Sequence, residues 1–349
     1  MMTSKPVPYY RDSTVTLVHG DALAVLGSMA DQQVDCVVTS PPYFALRNYG
    51  VPPSDWPALS YVPMAGLPAV DIPAMSCPLG GEPTPQAYIG HLVLIFMQAH
   101  RVLTEDGALW LNMGDSYSSR ADASTGPTAG RARPNVMAEK VNTTGYVRRK
   151  NLLGTPWQLA FALQAQGWIL RRDVIWHKPN GMPESVNDRP AARHEYMFLL
   201  TKSENYWFDL DPIREEAAAP RGAARTWTER KGTGAPLRRG AEPEHARGDS
   251  GFTASARGRN PGDVWTIPTQ PFPAAHFAVM APSLAQRCVL SGCKPGGTVL
   301  DPFNGSGTTG LACQRTGRNY LGIDLKRTYL DLSLKIRLRD AALDFQAGA

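Results

Sequence analysis

The sequence predicts an α/β fold: a mostly parallel sheet with helices on both faces and long basic loop insertions. Three observations carry that expectation. Apolar, β-branched runs alternate with helical segments near both ends of the chain, the pattern of parallel strands joined by crossover helices. The strand "GTVLD" passes through a glycine-rich loop into the helix "TTGLACQRTG". Two long polar stretches interrupt the alternation, and the second, Ile213 to Gly262, has too few large apolar residues to fold alone.

In chain order, "TVTLVHGDALAVLGSM" predicts a strand, a turn at Gly20-Asp21 and a short helix, and "VDCVVTS" a second, buried strand. Phe44 to Pro85 is rich in proline and aromatics without a period and reads as a long ordered loop. The helix "PQAYIGHLVLIFMQAHRVL" and the strand "GALWLNMGD" follow. Ser118 to Lys150 is polar and basic and reads as a mobile insertion. Regular structure resumes with the helix "TPWQLAFALQAQG" and the strand "WILRRDVIWHKP". "HEYMFLLTKS" and "NYWFDL" predict two more strands, paired as a hairpin. After the basic stretch Ile213 to Gly262 come the helix "SLAQRCVLSG", "GTVLD", the glycine loop, its helix, the strand "NYLGIDL" and a terminal helix.

A chain of 349 residues suits one large domain or two smaller ones, and 43% hydrophobic with 19% charged residues is ordinary for a globular protein. The net charge of +5 is compatible with a polyanionic partner. Five cysteines without a C-x-x-C pair or zinc-type Cys/His spacing predict reduced core thiols in a cytoplasm and no metal site. The longest apolar run, around Leu92 to Met97, is too short to span a bilayer.

Gly305, Gly307 and Gly310 stand in G-x-G-x-x-G spacing between a strand and a helix, the context a nucleotide fingerprint requires. Asp324 lies about twenty residues on, where a ribose-binding acid belongs. No lysine follows the glycines, which excludes a Walker A loop. An NAD-dependent oxidoreductase remains a rival reading. A pyrophosphate needs bare backbone N–H groups, however, and this loop opens on Asp301, whose carboxylate would repel it. The same carboxylate attracts the α-ammonium of S-adenosylmethionine (AdoMet), so local chemistry favours AdoMet.

With "TSPPY" (Thr39 to Tyr43) and "DPFNGSGTTG" (Asp301 to Gly310) together, the chain resembles the amino-group DNA methyltransferases, which methylate N4 of cytosine or N6 of adenine. The order, catalytic motif first and AdoMet motif far downstream, resembles the circularly permuted β class. The resemblance implies a Rossmann-like AdoMet-dependent methyltransferase fold. It divides the chain into a catalytic half at 1–213, with insertions at about 44–87 and 118–150, a basic target-recognition segment at 214–262, and an AdoMet-binding half at 263–349. It implies AdoMet contacts from Asp21, Asp301, Pro302, Phe303, Gly305, Ser306, Gly307 and Asp324, with Asp21, in the "GDAL" element, meeting adenine. "HFAVMAPSLAQRCV" resembles the segment that closes the methionine pocket, with Met280-Ala281-Pro282 where the family usually shows Phe-Pro.

The catalytic residues implied are Ser40, Pro41, Pro42 and Tyr43. The exocyclic amine of a base is a poor nucleophile, because its lone pair is conjugated into the ring. Acceptors on its two N–H groups, the Ser40 hydroxyl oxygen and the Pro41 carbonyl, draw the nitrogen toward sp³. Pro42 has a fixed φ and holds that carbonyl outward, and Tyr43 offers a face to an extruded base. No Pro-Cys pair exists for attack at cytosine C5. Serine heads the motif more often among N4-cytosine enzymes, which tilts the reading toward cytosine and keeps N6-adenine as the alternative.

The partner implied is double-stranded DNA, with Arg131, Arg133, Arg148, Arg149, Lys178, Arg238 and Arg239 as candidate contacts. Trp176 either lines the base pocket or packs in the core. The resemblance leaves room for a homodimer and for a restriction partner.

Overall fold

The computed structural model describes residues 7–46, 50–118, 147–216, 258–270, 272 and 279–338. Chain order is β1 (Tyr10–Arg11), β2 (Val15–His19), α1 (Ala22–Ser28), β3 (Val34–Thr39), then four three-residue strands, β4 (Ser54–Trp56), β5 (Leu59–Tyr61), β6 (Val70–Ile72) and β7 (Met75–Cys77). Next come α2 (Pro85–Val102), β8 (Leu103–Met113), α3 (Thr155–Ala165), β9 (Ile169–His177), β10 (His194–Thr201) and β11 (Val264–Thr266). The chain ends in α4 (Pro282–Gly292), β12 (Thr298–Asp301), α5 (Thr308–Arg315), β13 (Asn319–Asp324) and α6 (Arg327–Leu332), which runs on through a π-helical turn at Ser333–Arg337.

Nine strands form one sheet in the order β1-β2-β13-β12-β3-β8-β10-β9-β11. All run parallel except β1, which is antiparallel to β2, and β10, which is antiparallel to both β8 and β9. The late strands β12 and β13 thus sit between the early strands β2 and β3.

Strand periodicity divides the core into two layers. Val37, Leu109, Leu111 and Phe198 point to one face, where they pack with α1, α2 and α3. Cys36, Val38, Trp110 and Leu199 point to the other, against α4, α5 and α6. Local signals set the helix starts. Thr84 caps α2 by accepting from the Ala87 N–H at 3.0 Å, and Pro85 follows at the first helical position. Asp21 caps α1 through the Ala24 N–H at 3.1 Å. Cys36, Cys288, Cys293 and Cys313 are buried free thiols and Cys77 is half-buried, as expected of core cysteines. No described helix is long and apolar enough to cross a membrane.

Two expectations are corrected. "NYWFDL" is not a strand, because both edges of β10 are already taken by β8 and β9. Trp207 and Asp209 instead make single tethers to the Asp106 and Ser291 carbonyls. The proline-rich loop after Phe44 contains two antiparallel ribbons, β4 with β7 and β5 with β6. Each strand is too short to show a period, and Trp56, Tyr61 and Ile72 are the side chains they bury. The greater parts of both basic stretches, 119–146 and 217–257, lie outside the described residues.

Candidate active site

The chain reverses its crossover direction between β12 and β3, and open α/β sheets bind ligands at such a switch point, beyond the strand C-termini. The two motifs meet there. Thr39, the last residue of β3, donates its hydroxyl to Asp301 Oδ1 of β12 at 2.6 Å. One cavity is lined by Ser40, Pro41, Pro42 and Tyr43 on one side and by Asp21, Asp301, Pro302, Phe303, Gly305, Ser306 and Asp324 on the other. Met280 and Ser54 also line it. Gly307 is set behind it as the N-cap of α5, with φ 78°.

On the AdoMet side the backbone does the shaping. Gly305 and Gly307 turn at φ 50° and 78°, where glycine alone is unstrained. A Cβ on Gly307 would stand 2.8 Å from the Ser333 Cβ. Asp324 straps the loop by accepting from the Gly305 N–H and the Lys326 N–H, both at 2.8 Å. Asp301 also accepts from the Phe303 N–H at 3.0 Å. Burial pushes the Asp301 carboxyl up to about 6 and the Asp324 carboxyl up to about 7. A cationic ligand group beside them would relieve that burial cost, whereas a pyrophosphate would add to it. Asp21 turns its second oxygen to the Ser54 hydroxyl at 2.9 Å. The donor set fits AdoMet, with buried carboxylates at the tips of β12 and β13 and Asp21 among the lining of the same cavity.

On the other side Ser40 and Tyr43 are framed by side chains. The Pro42 carbonyl accepts the Tyr88 hydroxyl at 2.8 Å, which fixes the peptide between Pro42 and Tyr43. Gly114 leaves space for the Tyr43 ring, since a Cβ there would lie 2.6 Å from Cε2. Tyr43 Oη reaches Glu195 Oε2 at 2.9 Å, and Asn112 Nδ2 donates to the same oxygen at 3.1 Å. Lys178 pairs with Glu195 Oε1, so its ammonium is engaged instead of standing free on open surface. Trp176 takes the packing alternative: it is 2% exposed and donates Nε1 to the Ile267 carbonyl at 2.8 Å.

Sequence reading passed over Asn112 and Glu195. Their signal was a polar residue inside the apolar run Ala108–Met113 and an acid at the head of an otherwise apolar strand. It also passed over Cys77, Glu82 and His91, which bring a ligand-type atom each within 4.8 Å of one another. Glu82 uses both oxygens there, accepting from the Gly80 N–H at 2.8 Å and pairing with His91 Nδ1 at 3.0 Å. Trp56 stacks on His91 at 4.1 Å. The Gly80 carbonyl in turn accepts the Ala45 N–H at 2.8 Å, so the group braces the loop that follows Tyr43. Among the candidate DNA contacts, Arg148 and Arg149 are exposed. Arg131, Arg133, Arg238 and Arg239 lie outside the described residues.

The chain is 39% identical over 319 residues to the Type II methyltransferase M.Cfr9I of Citrobacter freundii, covering 91% of this chain and 86% of that one. It is 38% identical over 326 residues to the Type II methyltransferase M.SmaI of Serratia marcescens, covering 93% and 90%. Its fold matches the PvuII DNA methyltransferase (cytosine-N4-specific) with a TM-score of 0.59 at 16% identity, covering 97% of this chain and 93% of that one. It also matches a DNA modification methylase of Thermus thermophilus, solved with S-adenosyl-L-methionine, with a TM-score of 0.51 at 21% identity over 93% and 95% of the two chains. A family model described as DNA methylase, of the N6/N4 type, matches residues 34–335. With its two motifs facing one cavity and the family pattern running through nearly the whole chain, this protein belongs to the N6/N4 DNA methylase family.

Proposed function

We propose that the protein methylates N4 of cytosine in duplex DNA, using AdoMet as methyl donor. The observation that carries the reading is the shared cavity, where the Ser40–Tyr43 tip faces the Asp301–Gly305 loop. Bound there, AdoMet supplies an electrophilic methyl group on a sulfonium. The chain's own residues do the rest. Asp301, Asp324 and Asp21 bind and orient the cofactor. Ser40 Oγ and the Pro41 carbonyl accept the two N–H bonds of the flipped amine and aim its lone pair. The barrier falls by this positioning, because two reactants are held in near-attack geometry. Tyr43 stacks on the base. Serine at position 40 supports cytosine over adenine. Arg148 and Arg149 are exposed, which supports a contact with backbone phosphate.

The test is to incubate the protein with mixed-sequence duplex DNA and AdoMet, digest to nucleosides, and identify the product by mass spectrometry. N4-methyldeoxycytidine is expected, and Ser40→Ala abolishes it. N6-methyldeoxyadenosine would overturn the choice of base. Unmethylated DNA, or equal activity in wild type and Ser40→Ala, would overturn the reading itself.

A further inference from the structure

Behind Ser40 runs a chain of hydroxyl groups with a defined direction. Ser40 Oγ donates to Tyr43 Oη at 3.3 Å, and Tyr43 Oη donates to Glu195 Oε2 at 2.9 Å. Tyr43 Oη also lies 3.3 Å from Asn112 Oδ1. A phenol has one proton to give, and the shorter contact to a carboxylate is the stronger. Glu195 thereby sets the polarity of the whole chain, since an ionised carboxylate only accepts. With its own proton turned toward Tyr43, Ser40 Oγ presents lone pairs to the cavity. That is the state in which it can receive an N–H.

The carboxylate is itself held from two sides. Asn112 Nδ2 donates to Oε2 at 3.1 Å and to the Tyr196 carbonyl at 3.1 Å, and the Lys178 ammonium pairs with Oε1. The side chains of Lys178 and Glu195 are 16% and 14% exposed, so the pair is withdrawn from bulk water. Lys178 Nζ also sits over the Trp176 ring at 4.2 Å, which fixes it to the sheet. A helical or strand frame of this kind holds a functional group more tightly than a loop does.

We propose that Glu195 is a positioning residue and the terminal proton acceptor for methyl transfer, acting through Tyr43 and Ser40. The proposal rests on the reading that Ser40 meets the exocyclic amine. The proton inventory closes. As the nitrogen–carbon bond forms, the carbon–sulfur bond breaks with its electron pair left on sulfur. The nitrogen then carries a positive charge and one proton too many. That proton passes to Ser40 Oγ, the serine proton to Tyr43 Oη, and the tyrosine proton to Glu195 Oε2. Ser40 and Tyr43 end unchanged, and Glu195 ends as a carboxylic acid that returns its proton to water between turnovers. Tyr43 thus has two jobs, a ring face for the base and a hydroxyl for the proton.

The experiment compares wild type, Glu195→Gln, Tyr43→Phe and the double variant in single-turnover methyl transfer. Ser40→Ala is run beside them, and AdoMet affinity and base extrusion, read from 2-aminopurine next to the target base, are measured for each. Gln keeps the shape of the acid but takes no proton, and Phe keeps the stacking face. Each single variant is expected to slow methyl transfer by about a hundredfold, the lower end of what a positioned proton acceptor contributes. The double variant is expected to lose no more than about threefold beyond either single one, because the two act as one chain. AdoMet affinity and base extrusion stay within about threefold of wild type. The proposal is overturned if Glu195→Gln transfers methyl at the wild-type rate, if the two losses multiply, or if the loss lies in AdoMet affinity or base extrusion. Tyr43→Phe reads the same chain if Glu195→Gln folds poorly. If wild type methylates DNA and Ser40→Ala does not, a fast Glu195→Gln sinks this proposal alone. If Ser40→Ala is as active as wild type, the reading beneath it falls as well.

Discussion

At the tip of β12 the main chain makes the site, and at the tip of β3 other elements make it. The loop from Asp301 to Gly307 is held by left-handed glycines and by two carboxylates that accept backbone N–H groups from within it. The Ser40–Tyr43 tip is held by Tyr88 of α2 at the Pro42 carbonyl and by Glu195 of β10 at the Tyr43 hydroxyl, with Glu195 in turn fixed by Asn112 of β8. A site made from contiguous backbone tolerates little change at a few positions. A site made from converging side chains can be altered one group at a time, so each half of the cavity fails in its own way.

The largest expected effect breaks the backbone half. Gly307→Val places a branched side chain at φ 78° and against Ser333, at a cost of about 1–3 kcal/mol. AdoMet affinity is expected to fall about ten- to a hundredfold, with a lower melting temperature; calorimetric titration and a thermal melt read the two. Unchanged affinity would mean that the loop is not backbone-determined. Gly114→Ala attacks the other half by pressing on the Tyr43 ring. Methyl transfer should slow by about ten- to a hundredfold while AdoMet affinity holds, because a displaced ring misaligns the base. Equal loss of both would erase the distinction between the halves.

A pH series sharpens the comparison. Asp301 and Asp324 titrate near about 6 and 7 when folded, above the ordinary carboxylate range. Their folded state binds more protons than the unfolded chain, so the stability they contribute without ligand is lost as pH rises from about 4 through about 7. AdoMet carries a cation and favours the ionised acids, so its affinity should rise about tenfold or more between about pH 5.5 and about pH 7.5. An affinity that is flat over this range would remove both acids from the binding step. The smallest effect is at the border of the ribbon. Ser54→Ala removes one donor from Asp21, and AdoMet binding should weaken by about two- to tenfold.

The same contrast explains what could be read in advance. The strands at 15–19, 34–39, 298–301 and 319–324 and the helices that follow them are spelled out by local periodicity and punctuation. The cofactor loop was legible for that reason: its acid, its glycines and its helix are contiguous. The base side was legible only in its motif. Glu195 reaches Tyr43 across 152 positions of sequence, and no local pattern announces such a pairing. "NYWFDL" was misread as a strand because its composition suits one, while the partners that decide pairing are set by the rest of the sheet. The two ribbons after Phe44 were missed because three residues are too few for a period.

The place of β12 and β13 in the sheet also bears on how the molecule comes into being. Strands β2 and β3 flank a gap that is filled by residues from the last sixth of the chain. During synthesis the amino-terminal part emerges with the inner edges of two buried strands unpaired and with the Cys36 and Val38 face uncovered. Contacts of such long sequence separation form late, because loop closure must be completed before they stabilise anything. Until β12 and β13 have been made and docked, those edges can pair with other chains, which leaves the nascent protein open to aggregation.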